Sequence, residues 1–307
     1  MNKVIKIGTR ESQLAVWQAT QVKHLLEQHG YEPELVFIKS EGDADLVTPL
    51  YEIGVQGIFT RALDIALLND QIDIAVHSMK DVPTQMAKGI IQAAVLPRAS
   101  YKDLLVPKGD TAFLDDINST AIIATSSIRR KAQWLHRFPH HQIENLRGNV
   151  NTRLRKINEN NWNGAIFAAA GLERIELRPK NAVELDWMLP APAQGAIIVV
   201  CKESDTYSFE ACQPFHDEDT AFCTAIERDF LRVLLGGCST PISALATIDG
   251  EQLYFNGNIL SLDGRKKVEV DKWVPALNAK NLGKIAGEEL LKNGGEEIME
   301  SIRNAQN

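Results

Sequence analysis

The chain has 307 residues, 44% of them hydrophobic and 24% charged; that is the composition of an ordinary folded protein, long enough for two or three domains. With 33 Lys and Arg against 40 Asp and Glu, the net charge is −7, which argues against a protein that coats nucleic acid or binds an anionic membrane. No apolar run nears the roughly 18 residues of a transmembrane helix. The opening MNKVIKIGTR lacks a signal-peptide core, and Cys201, Cys212, Cys223 and Cys238 show no C-x-x-C or zinc spacing. Free thiols in a reduced, cytoplasmic protein are expected.

The first elements alternate. Val4–Ile7 reads as a short strand, and Ser12 stands where a helix N-cap would. Leu14, Trp17, Val22, Leu25 and Leu26 follow at near-helical spacing, with Gly30 placed to end the helix. Residues 34–39 read as a strand, 60–68 as an amphipathic helix, and 72–76 and 92–96 as strands. The rhythm then repeats, with strands at 121–124, 142–145 and 165–168 and helices at 127–138 and 150–158. Strands alternating with helices predict a largely parallel sheet covered by helices.

Residues 185–195 carry three prolines and a glycine and read as a crossover, while AIIVVC at 196–201 reads as a buried strand. That strand is expected to return to the first sheet. A helix over 220–235, strand-like runs at 242–248, 252–260 and 267–274, and Asp-Gly pairs at 249–250 and 263–264 predict a small α+β unit with hairpins. A helix at 281–292 and a terminal helical stretch at 296–303 complete it. The expected division is 1–98 with 196–216, then 99–195, then 217–307.

Four segments have the residue types for chemistry. HSMKDVP at 77–83 sets Lys80 beside Asp81 after a strand, where open α/β sheets bind ligands. Thr125, Ser126, Ser127, Arg129 and Arg130 open a helix, a natural anion site reinforced by arginine forks. Arg147 and Arg153 bracket the turn at Gly148. Residues 125–156 hold eight basic side chains and one acid. This segment therefore carries +7 and the rest of the chain −14, which points to a polyanionic ligand. No G-x-x-x-x-G-K-[ST] or G-x-G-x-x-G pattern favours a nucleotide. Gly236 and Gly237 before Cys238 and Pro241 after it place that cysteine on a tight loop able to present a thiol.

In order along nearly the whole chain, IGTRESQLA, GDADLVTPL, HSMKDVP, ATSSIRR, LRGNVNTR, AAAGLERI, PAPAQGA, ERDFL and LLGGCSTPI resemble the porphobilinogen deaminase family. The resemblance implies an α/β fold: two periplasmic-binding-protein-like (type II) domains around a cleft plus a small α+β C-terminal domain. It implies a transferase of porphyrin biosynthesis that condenses four porphobilinogen molecules, with loss of ammonia, into linear hydroxymethylbilane. It also implies a dipyrromethane cofactor held by a thioether, here to Cys238, consistent with a thiolate adding to an electrophilic pyrrole. Carried over residue by residue, Asp81 is the catalytic group. Lys80, Asp81, Thr125, Ser126, Ser127, Arg129, Arg130, Gly148, Arg153 and Gln194 hold the cofactor. Arg10, Ser12, Phe59, Arg147, Arg153 and Arg174 bind substrate. No metal is implied, and a monomer is expected. The chain departs from the family pattern at Glu52, Gln56 and Glu144, where basic residues are frequent.

The competing reading is a non-catalytic cleft protein for a small carboxylate. It accounts for the two α/β repeats and the basic turns but not for the third unit or the cysteine loop. A nucleic-acid binder is opposed by the acidity and by the scarcity of aromatics near the arginines.

Overall fold

A computed structural model describes residues 3–39, 60–234 and 240–306. The first sheet contains β1 (Val4–Thr9), β2 (Glu32–Phe37), β3 (Ile74–Ser78), β4 (Ile90–Val95) and β10 (Ile197–Lys202), in the order β2-β1-β3-β10-β4. The second contains β5 (Asp103–Pro107), β6 (Ile122–Ala124), β7 (Gln142–Glu144), β8 (Gly164–Ala168) and β9 (Val183–Glu184), in the order β7-β6-β8-β5-β9. The two orders have the same layout, as the repeated sequence rhythm predicts.

Both sheets depart from the largely parallel expectation by one reversed strand. β10 pairs antiparallel with β3 and β4, and β5 pairs antiparallel with β8 and β9. The cause is the path of the chain. β3 and β8 end at the seam between the sheets, where Met79 donates to the Ala196 carbonyl and Ala169 to that of Lys102. β5 and β10 are entered directly from that seam and must run the opposite way. The strand expected at 72–76 lies at 74–78, so His77 and Ser78 are strand residues and Met79–Asp81 form a 3₁₀ turn. β5 and β9 were not among the elements legible in the sequence, and β10 returns to the first sheet as expected.

Side chains of the all-apolar strands alternate between two helical layers. Ile197, Val199 and Cys201 face α1 (Gln13–Gln28) and α6 (Thr206–Cys212), while Ile198 and Val200 pack with Leu63, Ala66 and Leu67 of α2 (Arg61–Leu68). Ser12 caps α1 by accepting from the Ala15 N–H at 3.4 Å, and Gly30 takes φ +82° just past its end. In the second sheet Trp134 and Phe138 at the end of α3 (Ile128–Arg137) cover one face, and Ile157 of α4 (Val150–Glu159) covers the other. A short α5 (Ala169–Glu173) follows β8.

The C-terminal unit is an antiparallel meander of β11 (Ile242–Asp249), β12 (Gln252–Leu260) and β13 (Lys267–Pro275). It is covered by α7 (Glu218–Val233), α8 (Leu282–Leu290) and α9 (Glu296–Gln306). α7 starts two residues before the sequence-predicted Thr220 because the Asp217 carboxylate caps it, accepting from the Thr220 N–H at 2.8 Å. Gly283 lets α8 lie against α7, since a Cβ there would meet the Ile226 carbonyl. A π-turn at Leu291–Gly295 joins α8 to α9, with Gly294 at φ +109° ending the helix expected to run to 292.

The C-terminal unit is tied to the two segments that cross between the larger sheets by one buried carboxylate. Glu227 of α7, fully inaccessible, accepts from Arg98 Nη1 at 2.5 Å and Nη2 at 3.1 Å, and from the N–H groups of Ala193 at 2.5 Å and Ala246 at 2.8 Å. Removing one partner of a buried ion pair leaves the other uncompensated. Glu227→Ala is expected to lower stability by about 3–5 kcal/mol in urea unfolding, with Arg98 left without its carboxylate.

Candidate active site

The seam gathers three sequence motifs. The Met79–Asp81 turn follows β3, and α7 clamps it: Arg228 donates to the carbonyls of Met79, Val82 and Pro83 at 3.4, 2.9 and 2.6 Å. Lys80 Nζ donates to Gln194 Oε1 at 3.1 Å. Burial, reinforced by Arg130 and Arg129, pushes the Lys80 ammonium down to about 8, although Asp81 and Asp103 pull it back up.

α3 opens beside this turn. Ser127 is its N-cap, accepting from the Arg130 N–H at 3.4 Å, and the Thr125 hydroxyl accepts from the Ser127 N–H at 3.2 Å. Ser126 Oγ bridges to Asn145 and Leu146 on the neighbouring loop. The arginines turn inward to β5. Arg129 Nη2 meets Asp103 Oδ2 at 2.7 Å, and Arg130 donates to Asp103 Oδ1 from Nη2 at 2.7 Å and Nε at 3.1 Å. Arg130 also donates to the Ile166 carbonyl, and Arg129 to that of Leu189. These two forks are thus already partly occupied by an internal carboxylate.

α4 opens next to them. Asn149 caps it by accepting from the Thr152 N–H at 2.9 Å, and Gly148 precedes it at φ +110°. A side chain at Gly148 would be strained at that φ and would collide with Thr152. Arg153 Nε donates to the Gly148 carbonyl at 2.7 Å, aiming the fork. Burial, with Arg130 and Arg147 nearby, pushes Arg153 down to about 10, and Asp81 opposes this. Arg147 is buried in the same cluster. Among the described residues no hydrogen bond engages the Asp81 carboxylate or the terminal nitrogens of Arg153. Both groups are half-buried.

The remaining predicted residues border this cluster. Arg10 lies within electrostatic reach of His77, whose imidazole is pushed down to about 3 first by burial and then by Arg10. The Ser12 hydroxyl oxygen accepts from the Ala15 N–H in the α1 cap, which leaves its O–H able to donate. Arg174 donates to the Gly195 carbonyl at 2.6 Å, lies 5.8 Å from the Trp17 ring, and is pushed down to about 10 by burial. Gln194 links the sides, its Nε2 donating to Tyr101 O at 2.8 Å and Asp103 Oδ1 at 2.9 Å. Phe59 and Cys238 lie outside the described residues.

Among the described residues, Lys80, Arg129, Arg130, Arg147 and Arg153 thus converge around two acids, Asp81 and Asp103. Such a wall suits several carboxylates, which arginine forks and buried ammonium groups bind through charge-assisted hydrogen bonds. Sequence reasoning missed Asp103 and Arg228. Their only signals were a lone acid ahead of Leu104-Leu105-Val106 and one arginine on a helix. The other three cysteines are poor nucleophiles. All are buried, and burial pushes the thiols of Cys201 and Cys223 up to about 11 and about 12. The described residues hold no cluster of metal-ligating side chains and no helix long and apolar enough to cross a membrane.

Residues 5–210 match the family described as porphobilinogen deaminase, dipyromethane cofactor binding domain, and residues 221–292 match porphobilinogen deaminase, C-terminal domain. A porphobilinogen deaminase of Syntrophotalea carbinolica is 40% identical over 305 residues, covering 98% of this chain and 96% of that one. One from Pelobacter propionicus is 40% identical over 302 residues, covering 97% of each. Among solved structures, the methionine binding protein MetQ is similar over 71% of this chain and 92% of its own, at 12% identity and a TM-score of 0.45. With two family domains matched in order and close relatives aligned nearly end to end, the chain belongs to the porphobilinogen deaminase family.

Proposed function

We propose that this chain is a hydroxymethylbilane synthase, a transferase that deaminates porphobilinogen and joins four molecules head to tail on a dipyrromethane primer. The single observation that carries the site assignment is the pairing of an uncommitted carboxylate, Asp81, with the uncommitted fork of Arg153 inside a wall of buried cations. Porphobilinogen carries an acetate and a propionate, so its oligomers are polycarboxylates that match such a wall. The donor set fits the cofactor for the same reason.

When bound, the dipyrromethane supplies a free pyrrole α-carbon as the first acceptor of the growing chain. Lys80, Thr125, Ser126, Ser127, Arg129, Arg130 and Arg153 hold its carboxylates, and Gly148 and Gln194 approach it closely. Arg10, Ser12, Arg147, Arg153 and Arg174 orient the carboxylates of the incoming substrate. Phe59 against the substrate and Cys238 as the thioether anchor rest on the family pattern.

Asp81 works on the ring nitrogen. Loss of ammonia leaves positive charge on the pyrrole N–H, and a fixed carboxylate accepting from it stabilises that charge by roughly 3 kcal/mol. The same oxygen can take part in proton movements at the departing amine. The Arg228 clamp on the flanking carbonyls keeps Asp81 in place through repeated cycles.

With this function we propose three domains, 1–98 with 196–216, 99–195 and 217–307, supported by the three separate sheets and the return of β10 to the first. A cytoplasmic monomer acting on a small molecule is the matching setting. A purely ligand-binding cleft gives no role to the match with a cofactor-binding domain.

Intact mass spectrometry of protein made in a porphobilinogen-producing host is expected to show an adduct of two pyrrole units, absent in Cys238→Ser. Unmodified wild-type chain would refute the cofactor assignment. Asp81→Asn is expected to keep the adduct and the fold while kcat falls about 100-fold or more, the rate equivalent of 3 kcal/mol; near-normal turnover removes Asp81 from the mechanism. Lys80 sits below its ordinary value, at about 8. Its cation is therefore largely present at neutral pH and lost as pH rises through about 8, and anion binding should weaken over that window. Lys80→Arg, which stays charged, should remove this alkaline limb from the pH dependence of KM.

A further inference from the structure

Asp103 opens β5 with no accessible surface, at the seam where four segments meet. Its Oδ1 accepts from Arg130 Nη2 at 2.7 Å, Arg130 Nε at 3.1 Å and Gln194 Nε2 at 2.9 Å, and its Oδ2 accepts from Arg129 Nη2 at 2.7 Å. Gln194 passes the contact on, since its Oε1 accepts from Lys80 Nζ at 3.1 Å. One carboxylate therefore connects a strand, the first turn of a helix, a crossing segment and the turn that carries Asp81.

The electrostatics make this arrangement necessary. Arg129 and Arg130 are adjacent on the first turn of α3, at the positive end of its dipole, where cations are disfavoured. Both are buried, with Lys80 close enough to push against both and Arg153 against Arg130. Without an internal counter-charge such forks would splay apart. With it, their orientation is set before any ligand arrives, so binding does not have to order two long side chains.

Resting on the cofactor reading above, we infer that Asp103 is a positioning residue for cofactor capture: too deep to touch a ligand, it fixes the Arg129 and Arg130 forks and, through Gln194, the Lys80 ammonium. Lys80 is faced by Gln194 from the crossing, Asp81 from its own turn, Arg129 and Arg130 from α3, and Asp103 from β5. Of these, Asp81 and Asp103 favour its charged form.

Asp103→Asn, made in a porphobilinogen-producing host beside the wild type, tests this. At least tenfold less adduct-bearing protein is expected by intact mass, with an unchanged far-UV circular dichroism spectrum. In the fraction that does load, the alkaline limb of kcat/KM should move to lower pH, because Lys80 has lost a favourable charge. A merely structural role would lower the melting temperature without moving that limb. Equal loading and an unmoved limb in Asp103→Asn overturn the inference while leaving the cofactor reading intact. Wild type without adduct sinks both. Should Asp103→Asn fail to fold, Gln194→Met decides. It spares the Asp103–arginine pairs and cuts the link to Lys80, so an alkaline limb at the wild-type pH would refute the relay.

Discussion

Two buried carboxylates carry the geometry on which everything else rests. Asp103 and Glu227 each accept four hydrogen bonds in full burial, and each joins segments far apart in sequence. Burying an ion costs several kcal/mol before compensation, which is repaid only where partners are complete and well placed. Arginine forks and backbone N–H groups complete both sites. Arg98, bound to Glu227, also donates through Nε to the Gln194 carbonyl, while the Gln194 side chain serves Asp103. The two networks therefore converge on a single residue of the return crossing.

Around this frame the fold accepts an unfavourable concentration of like charge. The helix N-termini of α3 and α4 already favour anions, and the chain adds arginines there rather than acids. The depressed values of Lys80 and Arg153 record the cost, with burial as the largest cause and neighbouring cations next. In return, several cations with little water around them stand ready for carboxylates, and Asp81 remains uncommitted among them.

Much of this was legible in the sequence, for local reasons. Ser12 and Gly30 bound α1, and the Asp-Gly pair at 249–250 sits at the β11–β12 turn. Of the basic run 125–156, Arg129, Arg130, Arg147 and Arg153 line the seam, while Lys131, Arg137 and Arg155 are exposed. The return of β10 could be read because AIIVVC has no polar face. What escaped was non-local. β5 shows a run of just three aliphatics between Asp103 and Pro107, and the reversal of β5 and β10 follows from where the chain enters each sheet. The start of β3 was misplaced because apolar Ile72 packs under Gly8 without joining the ladder, which begins at Ile74. Arg129 and Arg130 have the sequence setting of ligand forks, and nothing near them in sequence hints that Asp103 already occupies part of each.

The neighbours Glu227 and Arg228 on α7 give the C-terminal unit a mechanical hold on the rest. One grips the crossing between the two larger sheets, and the next grips the carbonyls on either side of Lys80 and Asp81. α7 therefore behaves as a lever with two adjacent fulcrums. Any tilt of the C-terminal unit would pull at once on the crossing that carries Ala193 and on the turn that carries Asp81, so that these two segments cannot be displaced independently.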